Sequence, residues 1–169
     1  LNSAKYHEIA SLVESKKAER DNSIQKMIED VSKRLDEHNI KYEIFGRSKH
    51  LYSIYNKMQR KNKRFEEILD LLAIRIITES ELNCYEVLGY IHASYAPIPG
   101  RMKDYIAVPK FNMYRSLHTT VVGIEGKIFE IQIRTKEMDQ IAEKGIAAHW
   151  AYKEGSYNKH EEQKEIINE

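Results

Sequence analysis

The stretch LHTTVVGIEGKIFEIQIRT, Leu117 to Thr135, decides the fold class. Two runs rich in apolar and β-branched residues flank Ile124–Lys127, where Glu125-Gly126 signals a turn, so a β-hairpin is predicted. In the second run Phe129, Ile131 and Ile133 alternate with Glu130, Gln132 and Arg134. Strict alternation means a strand with one buried face. By pattern alone the Glu-Gln-Arg face is either a wet surface, the commoner case, or the floor of a site.

Working outward, LLAIRIIT (71–78) is rich in branched residues and reads as a central strand. KYEIF (41–45) reads as a second strand and YIAVP (105–109) as a short one. Residues 3–38 read as helical, with a break and an N-cap at RDNS (20–23). The loop GRSK ends near Ser48, a candidate N-cap for a helix striped by Leu51, Ile54, Tyr55 and Met58. Residues 80–93 look helical, and Thr135 caps a last helix with Met138, Ile141 and Ala142 on one side. Residues 96–105 form a loop by their Pro and Gly content, KFNMYRS is a polar connection, and the chain is polar from Lys153 onward. The expected architecture is α/β (α+β): one mixed sheet with helices packed on it. A helical segment (1–40) leads into the main domain (41–155), and a polar tail (156–169) follows.

The chain has 169 residues, 41% hydrophobic and 31% charged, with a net charge of +1. This suits one soluble domain with a substantial core and gives no global bias toward nucleic acid. Local clusters matter more: Lys49, Lys57, Arg60, Lys61, Lys63 and Arg64 form one basic block, and Arg101, Lys103, Lys110 and Arg115 another. A single cysteine, Cys84, excludes a disulfide framework and points to a reducing, cytoplasmic compartment. The apolar run ILDLLAIRII contains Asp70 and Arg75 and is too short for a membrane span. With Leu1 rather than Met at its start, the chain reads as a piece of something longer.

Four groups of residues have chemical potential. In IFGRSKHLYSIYNKM a strand passes through glycine into a helix start, an anion site flanked by Arg47, Lys49 and Lys57. A capped surface helix with solvated bases is about equally consistent. Asp70 and Arg75 lie in or beside an apolar strand, where a charge is rarely buried unless paired or at a site. Asp70 and Glu130 together suit Mg²⁺, which takes one or two carboxylates plus phosphate oxygens. In PGRMKDYIAVPKFNMYRSLH, cations interleave with Tyr105, Phe111 and Tyr114 beside Asn112. A ring can stack on a base, an amide can read its edge and cations can take phosphates. An ordinary packing loop or a single-stranded RNA surface has the same look. Finally, Glu130 is a possible general base or metal ligand, and Gln132 a possible base or ribose contact. For His118 and His149 a structural role is the commoner one.

Together these segments closely resemble the synthetase domain of the Rel/SpoT homologue family. The matching stretches are GRSKHLYSIYNKM, DLLAIRIIT, PGRMKDYIAVPKFNMYRSLHTTV and EIQIRTKEMDQIAEKGIAAHWAYKEG, in order and with family-like spacing. The resemblance implies a nucleotidyltransferase-like fold and an alarmone synthetase. That enzyme transfers the β,γ-diphosphate of ATP to the 3′-hydroxyl of GDP or GTP, leaving AMP. Arg47, Lys49 and Lys57 would then hold ATP phosphates, and Arg47 and Arg75 would sandwich the adenine. Asp70 and Glu130 would bind Mg²⁺, and Glu130 would help deprotonate the hydroxyl. Tyr114 would stack on guanine with Asn112 nearby. Lys103, Lys110 and His118 would contact phosphates, with Arg101 and Gln132 on the same guanine-nucleotide side. RMKD (101–104) matches the Arg-x-Lys-Asp motif of bifunctional members, implying a synthetase domain taken from a synthetase–hydrolase. Its further partners would be hydrolase and regulatory domains, with ribosome or tRNA reached only through domains outside this chain, and no membrane.

Two other classes compete. A non-catalytic RNA-binding module would use the Tyr/Lys loop, against the near-neutral charge and the acidic Asp70 and Glu130. A nucleotidyltransferase acting on RNA would release pyrophosphate rather than AMP.

Overall fold

The computed structural model of the chain describes residues 3–46, 59 and 72–154. Its elements are α1 (Ser3–Glu37), β1 (Tyr42–Gly46), β2 (Leu72–Thr78), α2 (Glu81–Ser94), β3 (Ala96–Pro97), β4 (Lys103–Asp104), β5 (Leu117–Val122), β6 (Ile128–Thr135) and α3 (Lys136–Glu154). Among the described residues one six-stranded sheet forms, in the order β1-β2-β6-β5-β3, with β4 also paired to β5. The β2–β6 pair is parallel and the other pairs are antiparallel, so the sheet is mixed as expected.

β2 and β6 are central because their apolar faces have nowhere else to go. Leu72, Ile74 and Ile76 of β2, with Phe129, Ile131 and Ile133 of β6, are buried on one side of the sheet. Leu117 and Val121 of β5 extend that surface. α1 covers it with Met27, Val31 and Leu35, at helical spacing of four, and α2 adds Cys84, Val87, Leu88 and Ile91. The hairpin turns through a 3-10 segment at Ile124–Gly126, where Glu125 (φ 59°) and Gly126 (φ 72°) take left-handed backbone. Ser80 caps α2 by accepting from Asn83 N at 3.1 Å, and Thr135 caps α3 by accepting from Met138 N at 3.2 Å. On α3, Met138 is buried but Ile141 is exposed.

Three expectations are corrected. Residues 96–105, expected to be a loop, hold two short strands, β3 and β4, each paired antiparallel with β5. Helix α1 runs unbroken through RDNS. Ser23 is buried and donates its hydroxyl to Glu19 O, four residues back, at 3.2 Å, so it bonds within the helix instead of capping a new one. YIAVP is a turn rather than a strand. The Asp104 carboxylate accepts from Ile106 N at 3.0 Å and Ala107 N at 2.9 Å, bending the chain just after β4. The helix expected after GRSK, with Ser48, Leu51, Ile54, Tyr55 and Met58, lies outside the described residues, as does the chain after Glu154.

The α1–α2 junction carries a titratable contact. Tyr95, 8% exposed, donates its hydroxyl to the Asp30 carboxylate and accepts from Arg34 Nε at 3.3 Å. Burial, then the bond to Asp30, pushes the phenol up to about 12. The unfolded chain ionises this group near its ordinary value of 10. Its stabilising contribution is therefore full below pH 10 and fades as pH rises toward 12. In urea melts, wild type is expected to lose on the order of 2 kcal/mol over that window that Tyr95→Phe does not lose. Parallel curves for the two proteins would contradict this.

Candidate active site

The opposite face of the sheet is polar, and strand register sets it out in rows. Phe45 of β1 pairs with Arg75 of β2, Arg75 with Gln132 of β6, Gln132 with His118 of β5, and His118 with Lys103 of β4. Thus one transverse row reads Phe45–Arg75–Gln132–His118–Lys103. The neighbouring row contains Ala73, Glu130 and Thr120. The parity of the strands that hides the isoleucines places these residues on the other side.

This face is not simply wet. Gln132 and Arg134 are 7% and 2% exposed. Arg134 donates from Nε at 3.0 Å and Nη2 at 2.7 Å to Asp139 Oδ1, on the first turn of α3. Arg75 donates from Nε to Gln132 Oε1 at 3.2 Å and from Nη1 to Asp139 Oδ1 at 3.4 Å. It also approaches the exposed Glu143 at 3.7 Å and lies 5.8 Å from the centroid of the Phe45 ring. Glu130 is half-buried, and among the described residues no hydrogen bond or ion pair ties its carboxylate. A carboxylate in that state suits a proton acceptor or a cation ligand.

At the other end of the row an aromatic cluster gathers. The Tyr114 hydroxyl is 3.0 Å from His118 Nε2. Tyr105 meets the His118 ring edge-on at 5.3 Å and the Tyr114 ring at 6.4 Å, and Lys110 Nζ sits 4.5 Å over the Tyr105 ring. Lys110 N donates to Tyr114 O at 3.1 Å, closing the 3-10 turn Phe111–Met113. That turn points Phe111 and Met113 outward and holds Met113 at φ 65°. Tyr114 itself is 8% exposed, its ring covered by its neighbours.

Of the residues singled out in the sequence, Arg75, Gln132, His118 and Lys103 share a row, Glu130 lies beside it, and Lys110 and Tyr114 join at the His118 end. Arg101 is exposed in the preceding loop. Asn112 lies in the 3-10 turn. Arg47, Lys49, Lys57 and Asp70 lie outside the described residues. Arg115 is turned away: it pairs with Glu81 at 2.9 Å and donates to Ile106 O at 3.4 Å. Asp104 of the RMKD motif accepts from the Tyr85 hydroxyl at 2.9 Å besides shaping its own turn. Asp139 and Phe45 were absent from the sequence-based site. No local signal marks them, because their partner Arg75 is distant in sequence.

The profile of the region found in RelA/SpoT proteins matches residues 46–157. The chain belongs to the RelA/SpoT family. A Spiroplasma citri guanosine-3′,5′-bis(diphosphate) 3′-pyrophosphohydrolase is 52% identical over 98% of the chain, and the match covers 22% of that protein. The bifunctional (p)ppGpp synthase/hydrolase SpoT of Escherichia coli is 50% identical over 89% of the chain and 21% of its own length. The chain therefore spans about a fifth of these RelA/SpoT relatives. Among solved structures, small alarmone synthetase 2 from Bacillus subtilis superposes with a TM-score of 0.68 at 26% identity, covering 92% of this chain and 88% of that one. The fold is that of a RelA/SpoT-type alarmone synthetase. No described helix is long and apolar enough to cross a membrane.

Proposed function

We propose that this chain is the synthetase part of a longer bifunctional RelA/SpoT protein, a pyrophosphokinase that makes (p)ppGpp in the cytoplasm. What supports it most is the placement of Glu130. This carboxylate, unpartnered among the described residues, lies beside the row that runs from Arg75, on the ATP side, to His118 and Lys103, on the guanine-nucleotide side. The 3′-oxygen of GDP or GTP forms a bond to the β-phosphorus of ATP. The bond from that phosphorus to the α,β-bridging oxygen breaks, AMP leaves, and Glu130 takes the hydroxyl proton.

Arg75, with Arg47, holds the adenine, while Lys49 and Lys57 take ATP phosphates. Lys103, Lys110, His118 and Arg101 hold phosphates of the guanine nucleotide or of the transferred group. Tyr114 and Asn112 receive the guanine, which requires the covered Tyr114 ring to open toward it. Gln132 faces the guanine side and also bonds Arg75, so it touches both halves. Glu130, together with Asp70, fits Mg²⁺, since a carboxylate with no partner among the described residues leaves its oxygens available to a hard cation. Bound there, the ion would neutralise phosphate charge. Positioning and charge neutralisation carry most of the work in such transfers.

The decisive experiment incubates the chain with ATP, GDP and Mg²⁺ and identifies the products. AMP and a 3′-diphosphorylated guanine nucleotide are expected. Pyrophosphate release would instead mark a nucleotide-adding enzyme, and salt-dependent RNA binding without turnover an RNA-binding module.

A further inference from the structure

Arg75 has an anchor that neither nucleotide supplies. We propose that Asp139 is a positioning residue for ATP, setting the plane in which the Arg75 guanidinium meets the adenine. This rests on Arg75 belonging to the ATP side. Arg134 is 2% exposed and puts two nitrogens, at 3.0 and 2.7 Å, on Asp139 Oδ1. A buried guanidinium bonded twice to one oxygen immobilises that carboxylate. The same oxygen accepts from Arg75 Nη1 at 3.4 Å, while Gln132 Oε1 accepts from Arg75 Nε at 3.2 Å. Guanidinium hydrogen bonds lie in the plane of the group, so these two contacts set its tilt. Stacking of a base on an arginine depends on that tilt. Phe45 lies against the same guanidinium at 5.8 Å. Glu143 is a weaker partner, since its side chain is 60% exposed and 3.7 Å away.

Asp139 thus passes the rigidity of the buried Arg134 to the more exposed Arg75. It touches no substrate in this scheme and acts through Arg75. Its position on the first turn of α3, capped by Thr135, ties the orientation of that helix to the same contact.

The test is calorimetric binding of the α,β-methylene analogue of ATP and, separately, of GDP. Asp139→Asn is expected to weaken the ATP analogue about tenfold, or ~1.4 kcal/mol, and to change GDP affinity less than about twofold. Asp139→Glu is expected to recover part of the loss. Asp139→Asn also leaves the buried Arg134 charge without a carboxylate among the described residues, which destabilises the fold. The double variant Arg134→Leu/Asp139→Asn removes that charge with its partner and is expected to show the same selective loss at a near-normal melting temperature. Equal weakening of both nucleotides, or unchanged analogue binding in both Asp139 variants, would overturn the proposal. Arg75→Ala separates the two levels. If it weakens analogue binding while the Asp139 variants do not, the positioning role alone falls. If it has no effect, the assignment of Arg75 to ATP falls as well.

Discussion

Glu130→Gln is expected to lower AMP release from ATP and GDP by about 10²–10⁴-fold while leaving both nucleotides bound. The substitution keeps the shape of the side chain and removes its charge and its basicity. Among the described residues Glu130 has no hydrogen bond or ion pair to lose, so folding stability should change by less than about 0.5 kcal/mol. The neighbours that set its place, Ala73 on β2 and Thr120 on β5, are joined to it through backbone pairing, which the substitution does not touch. A loss of turnover with unchanged melting and unchanged GDP affinity would therefore report chemistry. The measurement is AMP formation under saturating nucleotide, followed by a melt of the same sample. Turnover within about threefold of wild type would remove Glu130 from the proton-accepting role, since a positioned general base is worth far more than that.

Much of this site was legible because strand parity is a local property. The alternation at Phe129–Arg134 fixes which side chains share a face, and the hairpin signal at Glu125-Gly126 sets β5 against β6. From these, the pairing of His118 with Gln132 follows almost without further information. What alternation does not contain is what lies over each face. Gln132 and Arg134 have the pattern of a solvated edge, yet they are buried because α3 folds back and sets Asp139 on Arg134. Two of the false expectations, at RDNS and YIAVP, have the same origin. Ser23 and Asp104 are residues that cap and turn in isolation; which of the two they do depends on a carbonyl or amide within reach. At Ser23 the helix carbonyl of Glu19 wins, held by the core that Met27 and Val31 make on the same helix. At Asp104 the following amides win, and an apolar YIAVP that reads as a strand becomes a turn. Tyr114 shows the same limit from the other side: sequence marks it as a ring for a base, and the fold covers that ring with Tyr105 and His118.

Phe129→Ala is expected to destabilise the fold by about 3–5 kcal/mol. Phe129 is fully buried and is first among the large buried side chains. It fills the space between β6, the hairpin turn and α1. A methyl group built on Gly123 would come within 2.6 Å of the Phe129 ring and 2.8 Å of Met27 Sδ, so the three are in close contact. Such tight surroundings relax little around a hole, and the cavity cost adds to the lost transfer energy. Met27→Leu alters the same contact while nearly conserving volume and should cost less than about 1.5 kcal/mol. Denaturant melts of both variants give the comparison. Phe129 and Glu130 are adjacent but face opposite sides of the sheet, so the destabilised protein should keep its ratio of ATP to GDP affinity below its melting transition. A loss under about 1 kcal/mol for Phe129→Ala would mean that α1 closes onto the sheet and fills the gap. In that case the Met27–Phe129 contact would not anchor the helix to the face opposite the site.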